Sequence, residues 1–252
     1  MSLSPDPAPP DASPNGKLRL AAIGDLHVTE AHPHPHRELF QRISQEADVL
    51  ALCGDLTNFG KTPEAEILAE DLQACTIPIV GVLGNHDFEC GQPEEVVRIL
   101  HQAGMRCLEG EPFEVNGVGF AGSKGFIGGF GRYMLSAFGE PEIKSFVQAS
   151  IDENLKLESS LRMLKTGRTV VVLHYAPVED TVVGEPQEIF PFLGSARLGE
   201  TIDRFDGVAC VVHGHAHRGA HEGRTPRGIP VYNVAKPVLN RDLGIEFALI
   251  EV

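Results

Sequence analysis

The sequence predicts an α/β fold, on three observations. From Lys17 onward, runs of four to seven residues rich in Val, Ile, Leu and Ala alternate with segments of helical character. Each run is followed by polar or glycine-containing residues, as a strand entering a turn would be. At 252 residues, with 42% apolar and 22% charged, the chain is long enough to bury a sizeable core and short enough for one domain.

Residues 1–16 carry Pro5, Pro7, Pro9, Pro10 and Pro14 among small polar residues, a composition that cannot bury enough surface to offset its ordering entropy. A flexible tail is expected there, followed by a single domain over 17–252. The first strand is read at 18–23 and a helix at 37–46. A strand at 49–53 precedes a helix at 64–74, which follows Pro63 and opens on Glu64. After a strand at 77–83, the helix at 94–103 follows Pro93 and opens on Glu94 and Glu95. Proline and then acids suit a helix N-terminus and its dipole. A strand at 118–121 leads into the glycine-rich segment 122–139, read as an irregular loop carrying Phe126, Ile127, Phe130, Tyr133, Met134 and Phe138. The helix at 142–164 is supported by Phe146, Ile151, Leu155, Leu161 and Leu164 at roughly helical spacing. Strands at 169–173 and 208–212 flank a helix at 196–205, and 231–234 and 245–252 add two more strands.

Composition removes several classes of function. A net charge of −14 and a pI near 5.2 argue against broad binding to nucleic acid or anionic membrane, which reward clustered Lys and Arg. Bound divalent cations would offset part of that charge. No apolar run approaches the ~18 residues that span a bilayer. The five cysteines are odd in number and contain no C-x-x-C pair, which indicates neither a disulfide framework nor a thiolate zinc site. With no Lys or Arg before Lys17 and no apolar leader, a reducing cytoplasm is the expected compartment.

The polar residues that follow the strands carry the chemistry. Strand one ends in Gly24-Asp25-Leu26-His27, the second in Cys53-Gly54-Asp55, the third in Gly84-Asn85-His86-Asp87, the fifth in His174 and the sixth in His213-Gly214-His215-Ala216-His217. In α/β folds ligands collect at the carboxyl ends of strands, so these residues are expected to converge. Asp, His and Asn without thiolate form a donor set suited to Mn, Fe or Zn. Asp25, Asp55, Asn85, His27, His174, His215 and His217 are more ligands than one tetrahedral ion uses, which favours two divalent ions bridged by one carboxylate.

The ordered set D-x-H, G-D, G-N-H-D, a lone H and G-H-x-H resembles the calcineurin-like metallophosphoesterases, and all five blocks are complete between residues 24 and 217. That resemblance implies two packed mixed β-sheets flanked by helices. It implies Asp25, His27 and His217 on one metal, Asn85, His174 and His215 on a second, and Asp55 bridging them. It implies a hydroxide between the metals as nucleophile, His86 contacting phosphate and assisting the leaving group, and Asp87 orienting the His86 imidazole. Manganese is the favoured ion for assays in vitro.

The expected function is therefore a dinuclear metal-dependent phosphoesterase, with diesters preferred over monoesters and small-molecule or nucleotide phosphoesters as substrates. The competing class is a non-catalytic metal-binding scaffold on the same fold, free to lose His86 or several ligands. A metal-dependent amidohydrolase would follow different ligand spacing. Other histidines are given structural readings: His213 a buried hydrogen bond or support for the ligands, His32, His34 and His36 a solvated loop. Cys53 is read as a small core residue. Segment 122–139, with Lys124 and Arg132, is left between a lid, an oligomer contact and a loop packed on the protein; it lacks P-loop spacing. Oligomeric state is left open.

Overall fold

The computed structural model describes residues 17–252. The expected tail at 1–16 lies outside the described residues. Among the described residues eleven strands form two sheets. The first contains β1 (Arg19–Ile23), β2 (Val49–Cys53), β3 (Ile79–Val82), β4 (Met105–Cys107) and β11 (Ala248–Glu251), ordered β11-β1-β2-β3-β4. Four of its strands run parallel and β11 runs antiparallel to β1. The second contains β5 (Phe113–Val115), β6 (Val118–Ser123), β7 (Arg168–Leu173), β8 (Val208–His213), β9 (Glu222–Arg224) and β10 (Pro230–Asn233), ordered β5-β6-β7-β8-β10-β9. Its central strands β6, β7, β8 and β10 are parallel, with antiparallel β5 and β9 at the edges.

Strand periodicity explains the layers. Leu20, Ala22, Val49 and Ala51 face the second sheet and pack with its Phe120, Val170, Val172 and Val212. The alternate residues Ala21, Ile23, Leu50 and Leu52 face the other way, onto Phe40, Leu68 and Leu100. Those three come from α1 (Arg37–Glu46), α2 (Thr62–Leu72) and α3 (Pro93–Gln102). On the far side of sheet two, Val171, Leu173 and Val211 meet Leu157 and Leu161 of α4 (Pro141–Met163) and Leu198 and Ile202 of α6 (Ala196–Ile202). Short helices α5 (Phe190–Leu193) and α7 (Lys236–Val238) sit in the loops. Each fully buried Leu, Ile or Val contributes about 1.5–3 kcal/mol relative to exposure. The result is two mixed sheets packed face to face between helical layers, as the family resemblance implies.

The structure corrects several elements. Helix α2 begins at Thr62 because Glu64 Oε2 accepts the Phe59 and Lys61 N–H groups ahead of it. Strands β4, β5 and β9 have only three residues each and mixed burial, so they lack an apolar run to announce them. The last strand shortens to Ala248–Glu251. In α4 the buried stripe is Val147, Ser150, Glu153, Leu157, Ser160 and Leu161, while Leu155 is 53% exposed. Three polar members of that stripe hid the true face from apolar periodicity. In segment 122–139, Gly122 and Ser123 complete β6, Ile127 is buried and Phe138 is 85% exposed. The first half is therefore packed on the protein. Among the described residues no helix is long and apolar enough to cross a membrane.

Candidate metal centre

The loops leaving β1, β2 and β3 meet those leaving β7 and β8 at one end of the sandwich. The loops after β1 and β2 continue side by side, with Asp25 N–H donating to Gly54 O (2.9 Å) and His27 N–H to Asp55 O (3.0 Å). Gly214 N–H donates to His174 O at 3.2 Å, which joins the loops of sheet two. Of the six described non-glycine residues with left-handed φ, four are Asp25 (59°), His27 (48°), Asp55 (49°) and His215 (71°). Such conformations cost about 1–3 kcal/mol each and concentrate where function requires them. Two glycines make the approach feasible. A Cβ on Gly84 would collide with the Asp55 amide and carboxylate, and one on Gly214 with the Asp25 carboxylate.

Three overlapping groups of side chains have ligand atoms within 4.8 Å of one another: Asp25, His27 and His217; His27, Asp55 and His86; and Asp55, His174 and His215. The first and third contain the residues expected to share an ion, and Asp55 joins the second to the third. Asp25 Oδ1 lies 2.8 Å from His217 Nε2. Asp55 Oδ1 lies 3.3 Å from His174 Nε2, and its Oδ2 lies 3.9 Å from His27 Nε2 and 4.0 Å from His86 Nε2. Asn85 Oδ1 is 2.9 Å from His174 Nε2.

The donor set fits divalent cations on the chemistry of its own atoms. Both ring nitrogens of His27 are sealed from solvent without a hydrogen-bond partner among the described residues. A buried polar atom left so is costly, and a cation would satisfy one of these. His174 Nδ1 meets Cys53 O at 2.9 Å and His215 Nε2 meets Phe192 O at 3.1 Å, so each ring keeps its other nitrogen for the cluster. Burial pushes His27 down to about 4 and His215 down to about 3, and pushes His174 well below the ordinary imidazole value. These three are neutral at pH 7, the form that ligates metal. Asp25 is raised to about 6, chiefly by burial and also by the nearby Asp55 charge. His217 is raised because its ring is hydrogen-bonded to the Asp25 carboxylate.

His86 and Asp87 divide their work differently from the expectation. The Asp87 carboxylate accepts from Leu56 N (3.2 Å), Thr57 N (2.8 Å), Thr57 Oγ1 (2.6 Å) and Gly84 N (2.8 Å). The His86 Nδ1 atom meets Asn58 O instead, at 2.7 Å. Asp87 thus does not hold the imidazole itself; it clamps the 56–57 backbone, and the next residue presents the carbonyl that does. Asn58 is the residue sequence reasoning missed, because a backbone carbonyl leaves no residue-type signal. His86 N–H also donates to Asp55 Oδ1 at 2.9 Å, tying the imidazole's backbone to the shared carboxylate.

The remaining expectations resolve individually. His213 is fully buried, with Nδ1 on Gly214 O and Nε2 on Thr181 Oγ1, each at 2.8 Å, so it supports the loop. His34 is exposed as expected with its ring on Asp71 of α2, whereas His36 is buried rather than solvated, its N–H donating to the same carboxylate at 2.8 Å, and neither joins a metal-competent group. Cys53 packs in the core between the sheets. Lys124 is buried, with its ammonium 4.8–5.3 Å from the ring centres of Phe126, Phe88 and Tyr175.

Comparison with known proteins agrees with this fold. A curated relative named "Probable cyclic nucleotide phosphodiesterase", from Moraxella catarrhalis (strain BBH18), is 33% identical over 84 residues, which are 31% of this chain and 30% of that protein. The match thus spans under a third of the relative. Phosphopantetheinyl hydrolase (PptH) from Mycobacterium tuberculosis superposes with a TM-score of 0.64 at 16% identity, covering 92% of this chain and 95% of that one. GAP50, described as the anchor in the inner membrane complex of Plasmodium, superposes with a TM-score of 0.52 at 15% identity, covering 88% and 72%. These likenesses are of fold. The family model described as calcineurin-like phosphoesterase matches residues 18–219, which include every loop of the cluster. The chain belongs to the calcineurin-like phosphoesterase family.

Proposed function

We propose that the chain is a metal-dependent phosphodiesterase acting on small-molecule or nucleotide phosphoesters, with two divalent cations held by the cluster. The observation that carries this reading is the chain of metal-competent groups linked through His27 and Asp55, with both His27 nitrogens lacking a partner among the described residues. Asp25, His27 and His217 would hold one cation, Asn85, His174 and His215 the other, and Asp55 would serve both. Bound there, the cations would supply Lewis acidity toward the phosphoryl oxygens and lower the pKa of a bound water.

The chain's own groups supply the rest. His86 donates its Nδ1 proton to Asn58 O, which turns Nε2 toward the cluster. In its protonated form, Nε2–H can contact a phosphoryl oxygen and pass its proton to the departing alkoxide. Asp87 keeps the Asn58 carbonyl in place through its hold on Leu56 and Thr57. The preference for diesters is supported by the printed name of the Moraxella relative.

The test is hydrolysis of bis-p-nitrophenyl phosphate and p-nitrophenyl phosphate by metal-stripped protein, with and without Mn²⁺, beside His86→Ala. Metal-dependent turnover lost in the variant supports the enzyme, and the ratio of the two substrates sets diester against monoester. Bound metal with no turnover of either ester would favour the scaffold reading.

A further inference from the structure

A cleft of about 500 Å³ opens directly beside the cluster, lined by Asn85, Phe88, Lys124, Phe126 and Tyr175. Its volume falls in the range of small-ligand sites. Two of its walls are continuous with the metal centre. Asn85 is a candidate ligand, and the Tyr175 ring packs 4.4 Å from that of His215 and 5.3 Å from that of His174. Phe126 extends the wall, 5.9 Å from Tyr175, while Phe88 follows His86 and Asp87 in the chain and is 40% exposed. On the far rim, α4 presents Ala149, a methyl group at an exposed position where a longer side chain would fill the space.

Charge and donors narrow the occupant. Two lysines, Lys124 and Lys156, face Asp152 and Glu153, with the partly buried Glu109 4.0 Å from Lys156 Nζ. Lys156 Nζ is 2.6 Å from Glu153 Oε1, Glu153 Oε2 accepts Gly125 N–H at 3.1 Å, and Asp152 Oδ1 accepts from Gln148 at 2.8 Å. Three acids, one of them (Glu109) raised to about 7 by burial, against two lysines leave no net positive charge to draw a second phosphate. Lys124 differs from Lys156. Its hydrogen bond among the described residues is to Gly125 O at 2.9 Å, and it lies within 4.0 Å of no described carboxylate. The surrounding rings attract its charge but take none of its N–H groups in an ordinary hydrogen bond, which leaves donors for an acceptor inside the cleft.

We propose that this cleft is a specificity subsite that seats a neutral, planar heteroaromatic substituent of the phosphoester, up to purine size, against Phe88 and Phe126 with an acceptor atom on Lys124 Nζ. The link to turnover rests on the phosphodiesterase reading, whereas binding of the ring does not. Aromatic walls carry recognition of planar groups, and the ammonium discriminates in favour of rings bearing acceptor nitrogens or carbonyl oxygens.

The experiment therefore has a binding arm and a turnover arm, both on the full chain. Adenosine, which has no phosphate, is titrated by NMR against metal-free and Mn²⁺-loaded protein, with D-ribose as the ring-free control. Saturable adenosine binding is expected in both forms and none with ribose. Phe126→Ala and Ala149→Phe should each weaken adenosine at least ~10-fold, with melting curves verifying that both variants fold. Lys124→Met should weaken adenosine while leaving the preference for a phenyl group intact. That preference is read from kcat/KM for phenyl against methyl p-nitrophenyl phosphate, expected at ~10-fold or more and collapsing toward unity in Ala149→Phe. Adenosine binding no tighter than ribose, or unchanged in both cleft variants, overturns the subsite. Adenosine binding as expected with no ester turnover overturns the phosphodiesterase reading and leaves the subsite standing. Turnover of both esters with no preference and no adenosine binding does the reverse.

Discussion

The two sheets contribute unlike halves to one centre. The rim of sheet one carries all the candidate oxygen ligands, Asp25, Asp55 and Asn85, together with His27 and His86. The rim of sheet two provides His174, His215 and His217. The halves are also held differently. Three of the four strained ligand residues lie on sheet one, where glycine-flanked turns bring carboxylates close to neighbouring loops. On sheet two, His174 and His215 each have one nitrogen fixed by a backbone carbonyl, from Cys53 and Phe192. Cys53 belongs to sheet one, so the other sheet orients His174. Side-chain contacts span the divide from Asp25 to His217 and from both Asp55 and Asn85 to His174, and His215 N–H donates to the Asp25 carboxylate. The candidate oxygen donors and the three histidines of sheet two meet only when the sheets pack, so a cation held between them would couple its binding to sheet packing.

Breaking the shared oxygen should have the largest effect. Asp55→Ala removes the carboxylate within 4.0 Å of His27, His86 and His174, and metal content and activity should fall together. Outer-shell partners cost ~10–100-fold, so a shared ligand is expected to cost at least ~10³-fold. Elemental analysis and turnover measured on one preparation check this. His86→Ala should retain both metals and lose ~10²–10⁴-fold in turnover, since only proton transfer and phosphate contact are removed. Metal loss in that folded variant would show that His86 belongs with the ligands.

Protons sharpen the comparison from the oxygen side. Asp25 is raised to about 6 by burial, so below pH 6 it holds a proton that a cation must displace. Affinity for Mn²⁺ should therefore weaken as pH falls through about 6, by about tenfold per unit for one displaced proton. Titrations between pH 5 and pH 8 measure the slope, and a flat profile would remove Asp25 from the ligands. Chelation tests the clamp between the sheets. At ~100 times Kd a bound ion adds ~2.7 kcal/mol, so EDTA should lower Tm by roughly 5–10 °C for a chain of this size.

The smallest change is within sheet one alone. Thr57→Val removes the hydroxyl that donates to Asp87 Oδ1 and accepts from Gly60 N–H. With Asn58 O less firmly placed against His86, kcat should drop ~10-fold with KM and metal content nearly unchanged. Thr57→Ser should restore it. A loss of metal instead would mean that the loop positions ligands rather than the imidazole.

Much of the architecture was legible because two periods coincide with burial. Val49–Cys53 and residues 170–173 of β7 are apolar on both faces because each sheet is covered on both sides, and such runs are plain in one dimension. The α4 face was misread because Ser150, Glu153 and Ser160 occupy its buried stripe, where the Glu153 carboxylate is held by Gly125 N–H and by Lys156 one turn along the helix. Strands β4, β5 and β9 exist by pairing with neighbours, which a three-residue segment cannot signal.

For the candidate site, the sequence by itself determined the residue types and the strand ends that carry them. Side-chain chemistry is local, and a strand followed by Gly-Asp or Gly-Asn-His-Asp states its donors outright. Tertiary structure decided which atoms meet: that Asp55 belongs to two of the three metal-competent groups, that His213 is spent on Thr181, and that Asp87 grips a backbone whose Asn58 carbonyl holds His86. It also set Lys124 among three rings beside Asn85. Those outcomes depend on backbone carbonyls and on the distance between two sheets, and both arise only when residues far apart in the chain pack together.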